Sequence, residues 1–313
     1  MAWSVYHGPD ARSPASPYCA DDFMIRKTIL AVGAAGQFAG LAVTALSELG
    51  ARVRGFVRNA EHGNEAQRLG AAEVVIGDLR DLQSVDAALA GVDAVFYIAP
   101  AFLPDEAEVG TRFVDAVVRS GARRIVFSSV IHPVLAELVN HAAKAPVEAA
   151  ILDSGLEYAL LHPALYFQNY ARGWPTVVES GVLAEPWSGE TRFSRVDYRD
   201  VADVAAIALL DDRLLCGTFE LFADGKLSRE EVAELIAEVA GREIRAHRID
   251  PDTLGDDANA MRPMFAYYDH HGLVGSSLTL RAILGREPRT LRAYFEELAR
   301  KSKRATKAPH RAG

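Results

Sequence analysis

Between residues 28 and 161, short apolar runs alternate with segments of helical periodicity, and this alternation limits the fold more than any other feature of the chain. Thr28–Val32, Val53–Val57, Ala72–Ile76, Ala94–Ile98, Arg124–Phe127 and Tyr158–Leu161 read as strands: each is short, mostly apolar and bounded by turn residues. Phe38, Leu41, Ala42, Ala45 and Leu49 recur at helical spacing after the first strand, and Gly50 stops that helix. Helices are likewise expected over 60–69, 82–89, 106–120 and 135–152, with Pro146 an irregularity in the last. A strand that returns through a helix to a parallel neighbour does so right-handedly, so the pattern predicts a parallel sheet covered on both faces. The fold class is therefore α/β, a Rossmann-type doubly wound parallel sheet spanning residues 24–165. No motif recurs at a period of a solenoid repeat.

After residue 165 the rhythm changes. A short strand leads into a helix over Val196–Leu210, Thr218–Leu221 reads as a strand, and Ser228-Arg229-Glu230-Glu231 is a capping box. That box opens a helix with Val232, Leu235, Ile236 and Val239 on its apolar face, and 278–284 and 291–298 give two more. We expect residues 166–300 to form a smaller mixed α/β C-terminal region, interleaved with the first and covering its ligand edge. The Ser/Pro/Ala-rich stretch at 11–17 lacks the apolar centre of a secretory signal, so residues 1–23 are expected to be a disordered extension ahead of a start at Met24. Residues 301–313 hold five Lys/Arg and no acid, and read as a disordered basic tail, either an interaction arm or a solvated end.

Composition excludes several function classes. A net charge of −8 with no basic stripe in the body of the chain argues against nucleic-acid binding. Two cysteines, Cys19 and Cys216, make neither a disulfide framework nor a metal cluster, which suits a cytoplasmic setting. No apolar run approaches the ~18 residues of a membrane span. Adjacent histidines in Asp269-His270-His271 are poorly spaced as ligands, so no metal site is expected.

The first βα turn reads Gly33-Ala34-Ala35-Gly36-Gln37-Phe38-Ala39-Gly40. Gly33 permits a tight turn, Gly36 lets the backbone approach a pyrophosphate, and Ala39 keeps the helix close to the sheet. The following helix presents unpaired N–H groups to phosphates, so the loop predicts dinucleotide binding through Gly33, Ala35, Gly36, Gln37 and Phe38. The end of the second strand reads Val57-Arg58-Asn59, where a carboxylate would have bound a ribose 2′-hydroxyl. Arg58 suits a 2′-phosphate instead, favouring NADP(H) over NAD(H); the alternative is a solvated surface arginine. Asp78, beside Leu79 after the third strand, is placed to accept from an adenine amino group or to cap the next helix, a role for which Asp81 competes. Ala99-Pro100 after the fourth strand and Ser128-Ser129 after the fifth lie on the same carboxyl edge, where ligands of open α/β sheets bind.

From Thr28 to about Leu298 the chain resembles the NmrA-like group of atypical short-chain dehydrogenases/reductases. The resemblance is carried by the glycine loop, Val57-Arg58-Asn59, Gly77-Asp78, Arg124-Ile125-Val126-Phe127-Ser128-Ser129 and Asp153-Ser154-Gly155. It continues through His162-Pro163, Tyr166-Phe167-Gln168-Asn169, Asp200-Val201-Ala202 and Gly285-Arg286-Glu287-Pro288-Arg289. It implies a small-molecule substrate in a cleft between the Rossmann and C-terminal regions, with Pro163 beside the cofactor and the chain a monomer or homodimer.

The departures concern catalysis. Short-chain dehydrogenases pair a Tyr acid with a Lys four residues on, and no Tyr here has that spacing. Lys144 resembles the retained lysine, a ribose or nicotinamide contact or else a surface lysine, but Asn140 stands at the Tyr position. His141 is a candidate proton donor because histidine titrates near neutrality, and Tyr166 is another; each has a packing role as its alternative. His132 and His162, just beyond strands, orient substrate or serve as loop histidines. The resemblance implies an NADPH-dependent oxidoreductase reducing a small quinone-like or conjugated substrate. A non-catalytic NADP(H)-binding sensor acting through a protein partner is the alternative, and the absent Tyr-Lys pair argues against a sugar-nucleotide epimerase.

Overall fold

A computed structural model of the chain describes residues 27–100 and 103–307. The extension and start expected before residue 25, and residues 308–313 of the basic tail, lie outside the described residues.

The first half runs Thr28–Val32 (β1), Ala39–Glu48 (α1), Arg52–Val57 (β2), Ala60–Arg68 (α2), Glu73–Ile76 (β3), Leu82–Leu89 (α3), Ala94–Ile98 (β4), Glu106–Ser120 (α4) and Arg124–Ser128 (β5). Val139–Ala142 (α5), Ala145–Asp153 (α6) and Glu157–Pro163 (β6) complete it. The second half contains Leu165–Tyr166 (β7), Asn169–Ser180 (α7), Val182–Glu185 (β8), Phe193–Val196 (β9), Tyr198–Leu210 (α8), Gly217–Leu221 (β10) and Lys226–Leu227 (β11). It ends with Arg229–Ala240 (α9), Arg245–Arg248 (β12), Arg262–Tyr268 (α10), Leu278–Leu284 (α11) and Leu291–Lys307 (α12).

The central sheet has seven strands in the order β10-β6-β5-β4-β1-β2-β3, and every pairing in it is parallel. Side chains alternate across a strand, so β1 sends Ile29 and Ala31 into one core layer and Leu30 and Val32 into the other. All four are buried, each worth roughly 1–3 kcal/mol of burial according to size. The strand order reverses at β1, which pairs with both β2 and β4, and that reversal opens a crevice at the carboxyl ends of the strands.

The C-terminal half completes this sheet as well as covering it. β10 is its seventh strand, and α8 packs Val201, Ala202, Val204 and Ala205 into the layer that holds Ala42, Val43 and Leu46 of α1. Buried Asp200 of α8 then anchors the late Arg-rich segment: Arg286 Nη2 lies 2.7 Å from its carboxylate and the Arg289 backbone N–H donates to it at 2.7 Å. Arg124, 1% exposed, bonds the carbonyls of Ala208, Leu209 and Asp211, tying β5 to the end of α8.

Two expectations change, and one helix was not foreseen. The single helix over 135–152 is a loop, the short α5 and then α6, and Pro146 sits in the first turn of α6, where its missing N–H costs nothing. α7 gave no clear signal because Gly173 and Pro175 interrupt its pattern. The tail expected to be disordered from residue 301 is helical to Lys307, because α12 buries Leu291, Tyr294, Phe295 and Leu298 and Lys, Arg and Ala propagate it. Among the described residues, no helix is long and apolar enough to cross a membrane.

Candidate functional site

The chain leaves β1 through Gly33, whose φ of 68° is the left-handed conformation that glycine tolerates. The Gly36 N–H donates to the Gly33 carbonyl at 2.7 Å, and a Cβ on Gly36 would stand 3.0 Å from that oxygen. The loop is thus a tight turn open on its outer side. α1 starts without a side-chain N-cap; the Gly40 and Leu41 N–H groups donate to the Gly36 and Phe38 carbonyls, which leaves those of Gln37, Phe38 and Ala39 to meet an anion. Gln37 Nε2 donates to the Gln168 carbonyl at 3.2 Å, fastening the loop to the start of α7.

A cavity of about 730 Å³ runs from this loop along the carboxyl edge of the sheet. Its wall takes Gly33, Ala35, Gly36, Gln37 and Phe38 from the first turn, Arg58 after β2, and Asp78 and Leu79 after β3. Ala99 and Pro100 follow β4, Ser128 ends β5, His141 and Lys144 come from α5 and the entry to α6, and Pro163 and Tyr166 follow β6. The structure therefore gathers the expected cofactor-binding residues and Lys144, His141 and Tyr166 around one space. His132 and His162 do not line it; His132 Nε2 lies 3.4 Å from Glu220.

At the β2–β3 end, Arg58 is exposed and forms no ion pair among the described residues. Asn59 caps α2 by accepting from the His62 N–H at 2.8 Å, and His62 joins the cavity wall. Asp81 caps α3, accepting from Gln83 N–H at 3.0 Å, so Asp78 is not needed as the cap. Asp78 accepts from the Arg80 N–H at 2.8 Å, and Arg80 is clamped by both oxygens of Asp105 at 2.8 and 2.6 Å.

The β5–β6 end is governed by burial. The Lys144 ammonium pairs with Glu106, which is 2% exposed, and lies 3.5 Å from the Asn140 carbonyl. Burial pushes the Glu106 carboxyl above the usual carboxylate range, and Lys144 opposes that shift. Glu106 was missed in the sequence because an acid in the first turn of a helix looks like ordinary dipole chemistry. The Ser128 hydroxyl is 2.8 Å from the Tyr198 hydroxyl.

Two expectations about proton donors need correction. His141 was expected to titrate near neutrality; it is 2% exposed, and burial lowers its pKa to about 4, so it is a neutral imidazole at pH 7. Burial likewise pushes the Tyr166 hydroxyl well up, with no cation at hand to lower it. Its ring packs against Phe38 and Tyr198, with centroids 4.4 and 4.9 Å away.

The C-terminal half closes the cavity with Trp187, Met261, Met264, Tyr268 and Leu273. Trp187 meets Tyr268 edge-on at 5.5 Å and Phe193 at 5.9 Å. None of these wall residues was singled out from sequence, because aromatics and methionines scattered over loops and one short helix have no spacing to betray them. The site is thus a polar, backbone-lined groove that continues into an apolar, aromatic pocket.

Comparison with known proteins follows this geometry. The chain is 27% identical over 288 residues to an NAD(P)H azoreductase of Xenophilus azovorans, covering 85% of this chain and 96% of that one. Its fold matches that of the NADPH-dependent quinone oxidoreductase of Escherichia coli in complex with NADPH, with a TM-score of 0.77, 21% identity and 87% and 99% of the two chains covered. The triphenylmethane reductase of Citrobacter sp. gives a TM-score of 0.78 at 19% identity over 88% and 99%. Residues 25–297 match the NmrA-like family, and the chain is a member of that family.

Proposed function

We propose that the chain is an NADP(H)-dependent oxidoreductase that reduces a small quinone-like or otherwise conjugated substrate. The observation that carries this reading is the continuity of the cavity: one space joins a dinucleotide-type glycine loop to an aromatic pocket. Its volume of about 730 Å³ lies within the ~300–1,000 Å³ typical of ligand sites.

The residues present fit a dinucleotide. The Gly33–Gly36 turn leaves the room that a Cβ on Gly36 would take, and the uncapped entry of α1 supplies N–H donors for a pyrophosphate. Asp78 serves the adenine, with Leu79 and the Ala99-Pro100 wall as apolar packing. Unpaired Arg58 serves a 2′-phosphate, which favours NADP(H) over NAD(H). Ser128, Pro163 and Lys144 border the nicotinamide end. When bound, the cofactor supplies a hydride.

The chain's own contribution is position and dryness. Phe38, Tyr166, Trp187 and Tyr268 present flat apolar faces on which a planar substrate stacks. Lys144, held by Glu106, brings positive charge to the wall, where electron density builds on a reduced substrate. Neither neutral His141 nor high-pKa Tyr166 is a strong acid, which disfavours an ordinary ketone. A quinone spreads the arriving charge over its ring and tolerates the missing Tyr-Lys pair. The names of the azoreductase, quinone and dye reductases among its relatives agree with that substrate class.

The test is NADPH oxidation by purified protein across a panel of quinones, azo and triphenylmethane dyes, and enones. We expect turnover with at least one quinone or dye, and a loss of about tenfold or more in Lys144→Ala. Tight NADPH binding without oxidation across the panel would support a non-catalytic sensor instead.

A further inference from the structure

At the carboxyl edge of β5, one residue past the Ser128–Leu161 pairing, Ser129 turns its hydroxyl away from the aromatic cluster that holds Ser128. It donates instead to Glu148 on α6. Glu148 Oε1 also lies 2.9 Å from His162 Nε2 of β6, without the alignment of a good hydrogen bond. All three are largely withdrawn from water: Ser129 is 2% and His162 7% exposed, and the Glu148 side chain 12%. Ser129 alone of the three forms part of the cavity wall. On the other side, His162 is the register neighbour of Glu220 on β10, whose side chain is 47% exposed and carries His132 at 3.4 Å. Ser129, Glu148 and His162 therefore lead from the cavity wall to β6, beside the strand that carries Glu220. Burying a carboxylate and an imidazole is costly unless they are paired, and packing needs neither.

We propose that Ser129, Glu148 and His162 form a proton relay that delivers the proton accompanying hydride reduction; this rests on the reductase reading above. After the substrate has received the hydride, the Ser129 O–H bond breaks and its proton passes to the substrate oxygen. As that proton leaves, Glu148 takes the Nε2 proton of the His162 imidazolium and passes it to the Ser129 oxygen, so that no alkoxide forms beside the carboxylate. Glu148 ends as the carboxylate it began as, and His162 ends neutral. One hydride from NADPH and this one proton convert a quinone to its hydroquinone. His162 then recovers its proton from water. Ser129 is the catalytic residue of the set, while Glu148 and His162 position and recharge it. Glu148 on α6 faces the imidazole, and Glu220, its register neighbour on β10, pairs with His132 after β5. Lys144, one turn before Glu148, is turned to Glu106.

The experiment measures kcat for quinone reduction against pH, in water and in deuterium oxide, with the unmodified protein and with Ser129→Ala, Ser129→Thr and Glu148→Gln. General acid catalysis contributes about 10²–10⁴-fold. We expect Ser129→Ala and Glu148→Gln to lower kcat at least tenfold with little change in the NADPH dissociation constant. Ser129→Thr restores most of the rate. In the unmodified protein kcat falls as pH rises, and that fall disappears in Glu148→Gln. As a readout independent of turnover, nitrogen-15 NMR of the protein without cofactor, assigned with His162→Gln, is expected to show the His162 ring signals displaced in Glu148→Gln. A Ser129→Ala kcat within twofold of the unmodified value, an unaltered pH profile in Glu148→Gln, or unmoved His162 ring signals would overturn the relay. Absence of all turnover in the unmodified protein would overturn the reductase reading instead.

Discussion

The two ends of the cavity are built by different means. The end between β1 and β3 is made of backbone: a glycine turn, an uncapped helix entry and carboxyl ends of strands, with Arg58 as its one unpaired cation among the described residues. The end beyond β5 is made of side chains brought from six or more separate stretches, and burial sets their chemistry. A backbone site has a short local signature and one task, holding phosphates. A side-chain site has no local signature and its properties emerge only on assembly.

The sharpest way to break this contrast is to fill the backbone end. Gly36→Val places a side chain where even a Cβ would stand only 3.0 Å from the Gly33 carbonyl, so NADPH affinity falls at least about a hundredfold in calorimetry. Circular dichroism should show the fold retained; binding within tenfold of the unmodified protein would contradict the assignment of this loop.

Arg58→Ala comes next. Loss of a charge-assisted contact of about 1.4 kcal/mol weakens NADPH about tenfold and leaves NADH unchanged. An equal loss for both cofactors would show that Arg58 does not read the 2′-phosphate.

At the side-chain end, His141 gives a pH signature. Its folded pKa is lowered from 6.5 to about 4, so the unfolded chain binds the extra proton between those values and stability falls as pH drops through that window. The protein should be about 1 kcal/mol less stable at pH 5.5 than at pH 6.5 from this group. Urea unfolding at the two pH values reads it, and His141→Gln should remove that part of the slope.

The smallest expected effect is at the aromatic cover. Trp187→Ala removes a stacking face and raises the quinone KM about threefold, with the NADPH dissociation constant unmoved. A change in NADPH affinity instead would mean that the two ends are not separable.

The same contrast explains what could be read in advance. The six strands and the glycine loop were legible because a buried parallel strand and a βα turn each have a pattern within a few residues. The place of Arg58 on the cavity wall was legible because it depends on one position after one strand. β10 and α8 also had clear patterns, but only the assembled sheet shows that they complete it. Lys144 was found by resemblance, while its partner Glu106 lies 38 residues away on another helix and had no signal of its own. His141 and Tyr166 were chosen for residue type, and burial changed the acidity on which the choice rested. Trp187, Met264 and Tyr268 meet only when the C-terminal half folds over the sheet.

The central claim is that one cavity holds NADPH and a conjugated acceptor together. Rapid mixing tests it most directly: protein saturated with NADPH is mixed with excess quinone, and the nicotinamide absorbance is followed through a single turnover. Rapid loss of that absorbance is expected in an amount equal to the bound NADPH, slowed by prior occupation of the aromatic pocket with a non-reducible planar analogue. NADPH that stays bound and reduced in the presence of saturating quinones and dyes would contradict it.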